Sequence, residues 1–470
     1  VTGADPLPGA AAGFRAITGF KAYDLRGRIP DELNDEVAYR VGRGFAQFLS
    51  PQRVVVGRDI RLSSAALTEA LCRGLTDSGV DVDDIGVCGT EGVYFATFDG
   101  RYDGGIMVTA SHNPADYNGM KFVRESSKPI SGDNGLKDIR GYAERGEFPS
   151  PAKLGRRRTI SVDAAYIAHL LSYVDVAKLE PLKIVVNAGN GGAGLVIDRL
   201  EPYVPFRFIK VHHAPDGRFP NGIPNPMIED NRAPTVAAIR ASGADFGIAW
   251  DGDFDRCFFF DEHGGFIEGY YIVGLLAAAL LRGEAGGKVV HDPRLTWNTI
   301  DVVAANGGST VLSKSGHAFI KQRMRDVDGV YGGEMSAHHY FRRFAYCDSG
   351  MIPWLLVAQL VSDTGSSLSE LVGERQRLFP VSGELNYRVP DARRAIAAIE
   401  THYAGSAAGV DRTDGVSFEF ADWRFNLRSS NTEPLLRLNV EARGSAALMR
   451  AKTDELLGLL KMQGAVAADH

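Results

Sequence analysis

The chain has 470 residues, 44% hydrophobic and 23% charged, with 52 Lys and Arg against 58 Asp and Glu, a formal net charge of −6. That length fits about three or four domains of roughly 100–200 residues and excludes a peptide-sized fold, a lone bundle or a small stapled scaffold. The slightly acidic balance gives no global electrostatic case for nucleic acid or acidic lipid as a partner. The 54 glycines point instead to tight turns and to loops whose backbone can approach a ligand closely.

At the N-terminus, residues 1–13 carry neither a cationic nor an apolar segment of the signal-peptide kind. The four cysteines, Cys72, Cys88, Cys257 and Cys347, are scattered without CxxC or zinc spacing. They read as buried reduced thiols, and the expected location is cytoplasmic. A strand, a polar turn, a helix and a second strand are predicted from Arg53-Val-Val-Val-Gly-Arg-Asp59 to 87. The same order returns from Lys183-Ile-Val-Val-Asn-Ala-Gly-Asn190 to 212, and again from Lys288-Val-Val-His-Asp-Pro-Arg294 to 313. The continuous β-branched runs suit strands buried on both faces. Three related α/β domains are therefore expected. The glycine-, proline- and arginine-rich stretch 146–159 reads as a linker, with Arg156, Arg157 and Arg158 on a solvated face or, less simply, binding phosphate. The apolar run 272–281 is about half the length of a bilayer crossing and reads as a buried helix, so no membrane partner is expected. Beyond it, a strand at 384–389, a helix at 392–403, three strands between 416 and 440 and a helix at 446–460 predict a C-terminal α+β domain with an antiparallel sheet. The expected divisions are 1–157, 158–265, 266–378 and 379–470, arranged around a central cleft.

Four motifs carry chemistry. Thr109-Ala-Ser-His-Asn-Pro114 follows an apolar run, so Ser111 lies in a loop just past a strand, beside His112 and Asn113. It could be a nucleophile or phosphoryl carrier, or belong to a plain turn. In Trp250-Asp-Gly-Asp-Phe-Asp-Arg256 the carboxylates of Asp251, Asp253 and Asp255 alternate and, in extended backbone, share one side. Three converging carboxylates repel unless a cation lies between them, and Mg²⁺ suits all-oxygen ligands. An EF-hand is excluded by Arg256 at the glycine position. In Gly332-Gly-Glu-Met-Ser-Ala-His-His339, Glu334 and Ser336 suit sugar hydroxyls. In Arg428-Ser-Ser-Asn-Thr-Glu-Pro-Leu-Leu-Arg437, a guanidinium, hydroxyls and an amide follow a strand end, a set that matches phosphate. No glycine-rich nucleotide loop occurs in a strand–helix context. Together the four ask for a phosphorylated sugar and a phosphoryl group passed through Ser111.

This set, in this order, closely resembles the α-D-phosphohexomutase superfamily, and within it the bacterial phosphomannomutase/phosphoglucomutase group, from Lys21-Ala-Tyr-Asp-Leu-Arg-Gly27 to Leu438. The resemblance implies that Ser111 is a phosphoserine and that Asp251, Asp253 and Asp255, with one phosphoserine oxygen, bind Mg²⁺. Ser111, Lys121, His112 and Arg26 form the implied catalytic set, with Lys121 and His338 as proton-transfer candidates that the sequence does not rank. Tyr23, Arg256, Arg294, His317, Glu334, Ser336, His338, Arg428, Ser430, Asn431 and Thr432 are the implied substrate contacts. The implied reaction interconverts hexose 6-phosphate and hexose 1-phosphate, of mannose and glucose, through hexose 1,6-bisphosphate, which also serves as activator. A monomer or homodimer is expected, with a sugar phosphate as its ligand. A phosphoglucosamine mutase and a non-catalytic sugar-phosphate sensor on the same scaffold are the alternatives.

Overall fold

The structure, a computed structural model, describes residues 16–429 and 435–468. Its first three sheets repeat one plan. A central strand is flanked by two parallel neighbours, and the later neighbour continues into an antiparallel hairpin. In the first sheet Arg53–Arg58 lies between Asp81–Val87 and Gly104–Val108, which turns back as Tyr117–Arg124. In the second, Lys183–Asn187 lies between Arg207–Val211 and Phe246–Trp250, which turns back as Cys257–Phe260. In the third, Lys288–His291 lies between Ser309–Leu312 and Tyr331–Gly333, which turns back as His339–Phe341. The central strands are runs of valine and isoleucine with helices on both faces, and Val54, Val55, Val56, Ile184, Val185, Val289 and Val290 are fully buried. The crossover helices fall where the sequence predicts them, at Ser64–Thr76, Ala193–Leu200 and Trp297–Ala305.

The fourth sheet is antiparallel throughout, with Trp423–Ser429 and Leu436–Ala442 at its centre and the helices Ala392–Tyr403 and Ala446–Met462 packed against it. Two short strands, Gly409–Asp411 and Val466–Ala467, extend it beyond the sequence expectation. The predicted architecture of three related α/β domains and a C-terminal α+β domain thus holds. The linker reading of 146–159 does not hold throughout. Arg157–Thr159 joins the first sheet parallel to Asp81–Val87. Arg157 is paired with Glu69 and Asp84, and Arg158 with Asp83. Both guanidiniums have carboxylate partners across the sheet edge.

One apolar core runs through the second and third domains and takes in Tyr94, Phe95 and Val123 of the first, whose main core is separate; the core of the C-terminal domain consists of its own residues alone. That domain docks through polar contacts. Glu441 accepts hydrogen bonds from the backbone of Thr296, from Arg424 and from the Tyr270 hydroxyl, while Arg424 also donates to the carbonyls of Pro293 and Arg294. Among the described residues no helix is long and apolar enough to cross a membrane. The four cysteines are free, and all but Cys88 are fully buried.

Candidate active site

The repeated plan puts the three domain motifs at one topological position. Ser111 lies in the hairpin after Gly104–Val108, the aspartates in the hairpin after Phe246–Trp250, and Glu334, Ser336 and His338 in the hairpin after Tyr331–Gly333. All three loops leave the carboxyl ends of parallel strands, where open α/β sheets bind ligands. They meet one another directly.

Ser111 is held in the left-handed region at φ 52°, with its amide donating to Thr109 Oγ1 at 2.9 Å. Its Oγ donates to Asp251 Oδ2 at 2.9 Å and lies 3.0 Å from His112 Nδ1. The buried Arg61 ties the loop down by donating to the carbonyls of Ser111, Asn113, Pro114 and Tyr117 at 2.5–2.9 Å. The metal-type loop lies against it backbone to backbone. A Cβ at Gly252 would stand 2.4 Å from the Ser111 carbonyl oxygen, a contact only glycine permits.

Asp251, Asp253 and Asp255 bring carboxylate oxygens within 4.8 Å of one another, all buried. They converge through a turn and not through the extended backbone expected. Phe254 has φ 47°, and its buried ring packs where side chains at Gly89 and Gly192 would stand, 2.2 and 2.9 Å away. Lys121 Nζ donates to Asp253 Oδ2 at 2.7 Å and Asp255 Oδ2 at 2.5 Å. Thr90 Oγ1 donates to Asp253 at 2.5 Å, and Arg256 Nε to Asp251 Oδ2 at 2.8 Å. Asp253 Oδ1 is buried with no hydrogen-bond partner, so the set has an oxygen to offer a cation. Burial, against the pull of Arg256 and with a smaller push from Asp255 and Asp253, raises Asp251 to about 6. Burial opposes the Lys121 charge, but Asp253 and Asp255 outweigh it and hold the ammonium above its usual range. Burial and the guanidiniums of Arg256 and Arg26 hold His112 neutral, well below the usual imidazole range.

His338 bridges to the third domain, with Nε2 3.6 Å from Asp255 Oδ1 and Nδ1 3.4 Å from Glu334 Oε2. Burial opposes its charge, but the two carboxylates win and raise it to about 9. Glu334 accepts from the Gly316 amide at 2.8 Å and the Tyr340 hydroxyl at 2.5 Å, and Ser336 Oγ and Glu334 Oε1 both meet Arg294 Nη2, at 3.3 and 3.4 Å. Arg294 is gripped by Asp292 at 2.9 and 3.0 Å and reaches Glu384 of the C-terminal domain at 3.2 Å. Arg428 Nη2 lies 3.4 Å from the same Glu384, and Arg437 Nη1 lies 2.8 Å from it. Near the mouth, Tyr23 stacks edge-on against His317 at 5.3 Å, while Arg26 donates to Asp24 at 2.8 Å and Asn113 at 2.5 Å.

Named contacts therefore run from Ser111 through Asp251, Arg256 and the aspartate loop to His338, Glu334, Arg294, Glu384 and Arg428, with Lys121 and His112 beside the serine. Ser430, Asn431 and Thr432 lie outside the described residues. Five residues in these contacts escape a motif reading. Arg61, Thr90 and Glu384 stand outside the motifs, and Asp292 and Arg437 lie inside quoted segments without having been given a role. The signals available were slight: Gly89 just before a helix start for Thr90, and a charged residue opening a strand for Glu384. Chemically, one end offers oxygens to a cation beside a hydroxyl, and the other offers guanidiniums to an anion.

Models of the phosphoglucomutase/phosphomannomutase family match four successive segments, the alpha/beta/alpha domains I, II and III at residues 18–150, 164–265 and 268–379 and the C-terminal domain at 384–457. A phosphomannomutase of Escherichia coli is 60% identical over 453 residues, 95% of this chain and 99% of that protein. A protein of Xanthomonas campestris pv. campestris named for phosphohexose mutases is 60% identical over 447 residues, with the same shares covered. A crystal structure of a phosphoglucomutase/phosphomannomutase family protein from Burkholderia thailandensis superposes with a TM-score of 0.87 at 30% identity, covering 97% of this chain and 99% of that one.

Proposed function

Because the chain belongs to the phosphoglucomutase/phosphomannomutase family, we propose that it interconverts hexose 6-phosphate and hexose 1-phosphate, with mannose and glucose phosphates as substrates, through a phosphorylated Ser111 and a hexose 1,6-bisphosphate. The observation that carries this reading is the meeting of Ser111 Oγ with the aspartate cluster, 2.9 Å from Asp251, at one end of a contact path whose other end is an arginine cluster. The high identity to a phosphomannomutase favours hexose phosphates over the phosphoglucosamine alternative, and an intact serine and three intact aspartates argue against a sensor.

Asp251, Asp253 and Asp255, with an oxygen of phosphorylated Ser111, would hold Mg²⁺. The fit rests on the unpartnered Asp253 Oδ1 and the all-oxygen donor set. Bound there, Mg²⁺ offsets negative charge on the phosphoryl group as it passes between oxygens. The protein's own residues do the rest. Arg61 and Thr109 fix the serine loop, so Ser111 Oγ is aimed before substrate arrives. Lys121 and His338, held as cations by the neighbouring carboxylates, are the candidates to relay the proton that leaves the attacking sugar hydroxyl and returns to the departing serine oxygen. Arg428, with Ser430, Asn431 and Thr432, would hold the phosphate that is not in transfer. Arg26, Arg256, His112, Tyr23 and His317 would line the path between the two ends. Glu334 and Ser336, placed by Arg294, would read hydroxyls available in both orientations of the sugar, so that the bisphosphate can turn end for end and hand its other phosphoryl group to Ser111.

A coupled assay of mannose 1-phosphate and glucose 1-phosphate with Mg²⁺ and a trace of hexose 1,6-bisphosphate tests this. The two epimers should have kcat/KM values within about one decade, ~1.4 kcal/mol in the transition state. A preference above about a thousandfold, ~4 kcal/mol, would mean that the site reads the C2 hydroxyl.

A further inference from the structure

Glu384 faces an unusual company. Its side chain is 4% exposed, and its two oxygens lie 2.8 Å from Arg437, 3.2 Å from Arg294 and 3.4 Å from Arg428. The sheet register explains the grouping. Arg428 and Arg437 are direct cross-strand partners, Asn386 is the partner of Arg437 on its other side, and Glu384 stands two residues before Asn386 on the same face. Arg294 arrives from the third domain with Asp292 already bound to it on two atoms. Arg428 is poorly satisfied by comparison. Among the described residues its carboxylate partners are Glu384 and Asp414, the latter at 4.0 Å, and its buried Nε has no partner. A buried guanidinium with a spare donor and a long ion pair is ready to take another anion.

We propose that Glu384 is a built-in competitor of the substrate's outer phosphate, holding Arg428 and Arg437 against Arg294 and so weakening their grip on that phosphate. This rests on the mutase reading above, in which one intermediate must be gripped, released and gripped again by its other end. A clamp of bare arginines would bind a phosphate dianion too firmly to let it turn. A carboxylate already seated among them returns to its place as the phosphate leaves, so release exposes no unpaired buried charge. Because Arg294 comes from the third domain, the same carboxylate also holds the C-terminal domain to the sugar-reading loop while the phosphate is away. Glu384 is a positioning residue and needs no contact with the reacting atoms.

The test is Glu384→Gln in the full chain, with inorganic phosphate as the probe in titration calorimetry and mannose 1-phosphate in steady-state kinetics. Phosphate should bind at least about fivefold tighter, and KM and kcat should fall together, because stronger holding slows turning. A residue that merely props the domain would raise KM. Glu384→Asp, with its carboxylate drawn back by one methylene, should change both quantities in the same direction by less, and it supplies the sign if the glutamine variant does not fold. Unchanged or weaker phosphate binding in a folded variant overturns the proposal. Tighter phosphate binding with no turnover in the parent enzyme would support the competition and overturn the mutase reading instead.

Discussion

The two ends of the contact path are built with opposite charge and opposite mechanics. At the serine end, three buried carboxylates crowd one pocket, with Lys121 and Arg256 beside them, and the loops that carry them touch backbone to backbone across domains joined by apolar packing at Tyr94, Phe95 and Val123. At the arginine end, three guanidiniums gather on one buried carboxylate, and the domain that supplies two of them has a separate core and docks through polar contacts. The first arrangement suits a cation and a fixed reaction geometry. The second suits an anion that must come and go. Apolar interfaces resist separation over their whole area, whereas a docked polar face can part and re-form, so hinge motion is expected of the segment beyond about residue 380.

Substitutions at each end should separate these roles. The largest effect is expected at the serine. Ser111→Ala should stay folded, since Arg61 binds the loop through carbonyl groups, and should lose turnover by about 10⁴-fold or more, as loss of a nucleophile does. Parent-like turnover in a folded Ser111→Ala protein would remove the serine end from the chemistry. Next comes the cation. Asp253→Asn should weaken Mg²⁺ binding by at least the roughly 10–100-fold that changes in outer-shell partners cost, with phosphate affinity at the arginine end untouched. Overlapping Mg²⁺ titrations of variant and parent would show that the loop is no metal site.

A smaller effect is expected at the arginine end. Arg428→Ala removes one charge-assisted contact, worth about 2 kcal/mol or ~30-fold in kcat/KM. It should raise KM, lower kcat and let hexose bisphosphate escape into solution. Phosphoryl transfer onto Ser111 should survive, because it needs only the other end. Small-angle scattering with and without substrate is the companion measurement, and an unchanged profile beside parent-like kinetics would end the idea of a mobile clamp.

The smallest effect concerns the rigid half alone. Glu91 is buried where the first three domains meet, bonded to the Tyr166 hydroxyl. Burial pushes it up to about 8, against the opposing hydrogen bonds from Ser349, Tyr166 and the Met351 backbone. Its folded value therefore lies above its ordinary 4.5. The folded state holds the extra proton between those limits, and the stability this provides is complete below about 4.5 and lost as pH rises through about 8. Glu91→Gln should flatten that decline, raising the melting temperature relative to the parent at pH 8.5 more than at pH 5. A parallel decline in both proteins would place the pH sensitivity elsewhere.

The repeat, the crossover helices and the motif loops were legible because each is local: β-branched runs, helical periodicity and turn chemistry lie within a dozen residues. The convergence of Asp251, Asp253 and Asp255 was legible only in outcome. Alternation suggested an extended strand, but a left-handed turn at Phe254 brings them together, and nothing local favours that conformation for phenylalanine. Glycines at 89 and 192, distant in sequence, make room for it. The roles of Arg61, Glu384 and Arg437 were not legible for the same reason. Each acts on residues brought near by sheet register or domain docking, and a single arginine or glutamate in a sequence does not announce its neighbours. The Arg157–Thr159 strand was hidden by composition, since two adjacent arginines sit at this sheet edge with Asp83, Asp84 and Glu69 as their ion-pair partners.

The ring of Phe254 acts as a spacer gauge. It is pinned between the glycines at 89 in the first domain and 192 in the second, while two residues earlier in the loop, Gly252 rests on the carbonyl of Ser111. Three glycines thus let the aspartate loop lie close against the first domain and the Ser111 loop, through contacts that involve no residue of the C-terminal domain. In the proposed reaction, movement of that domain would leave the placing of the aspartates beside Ser111 unchanged.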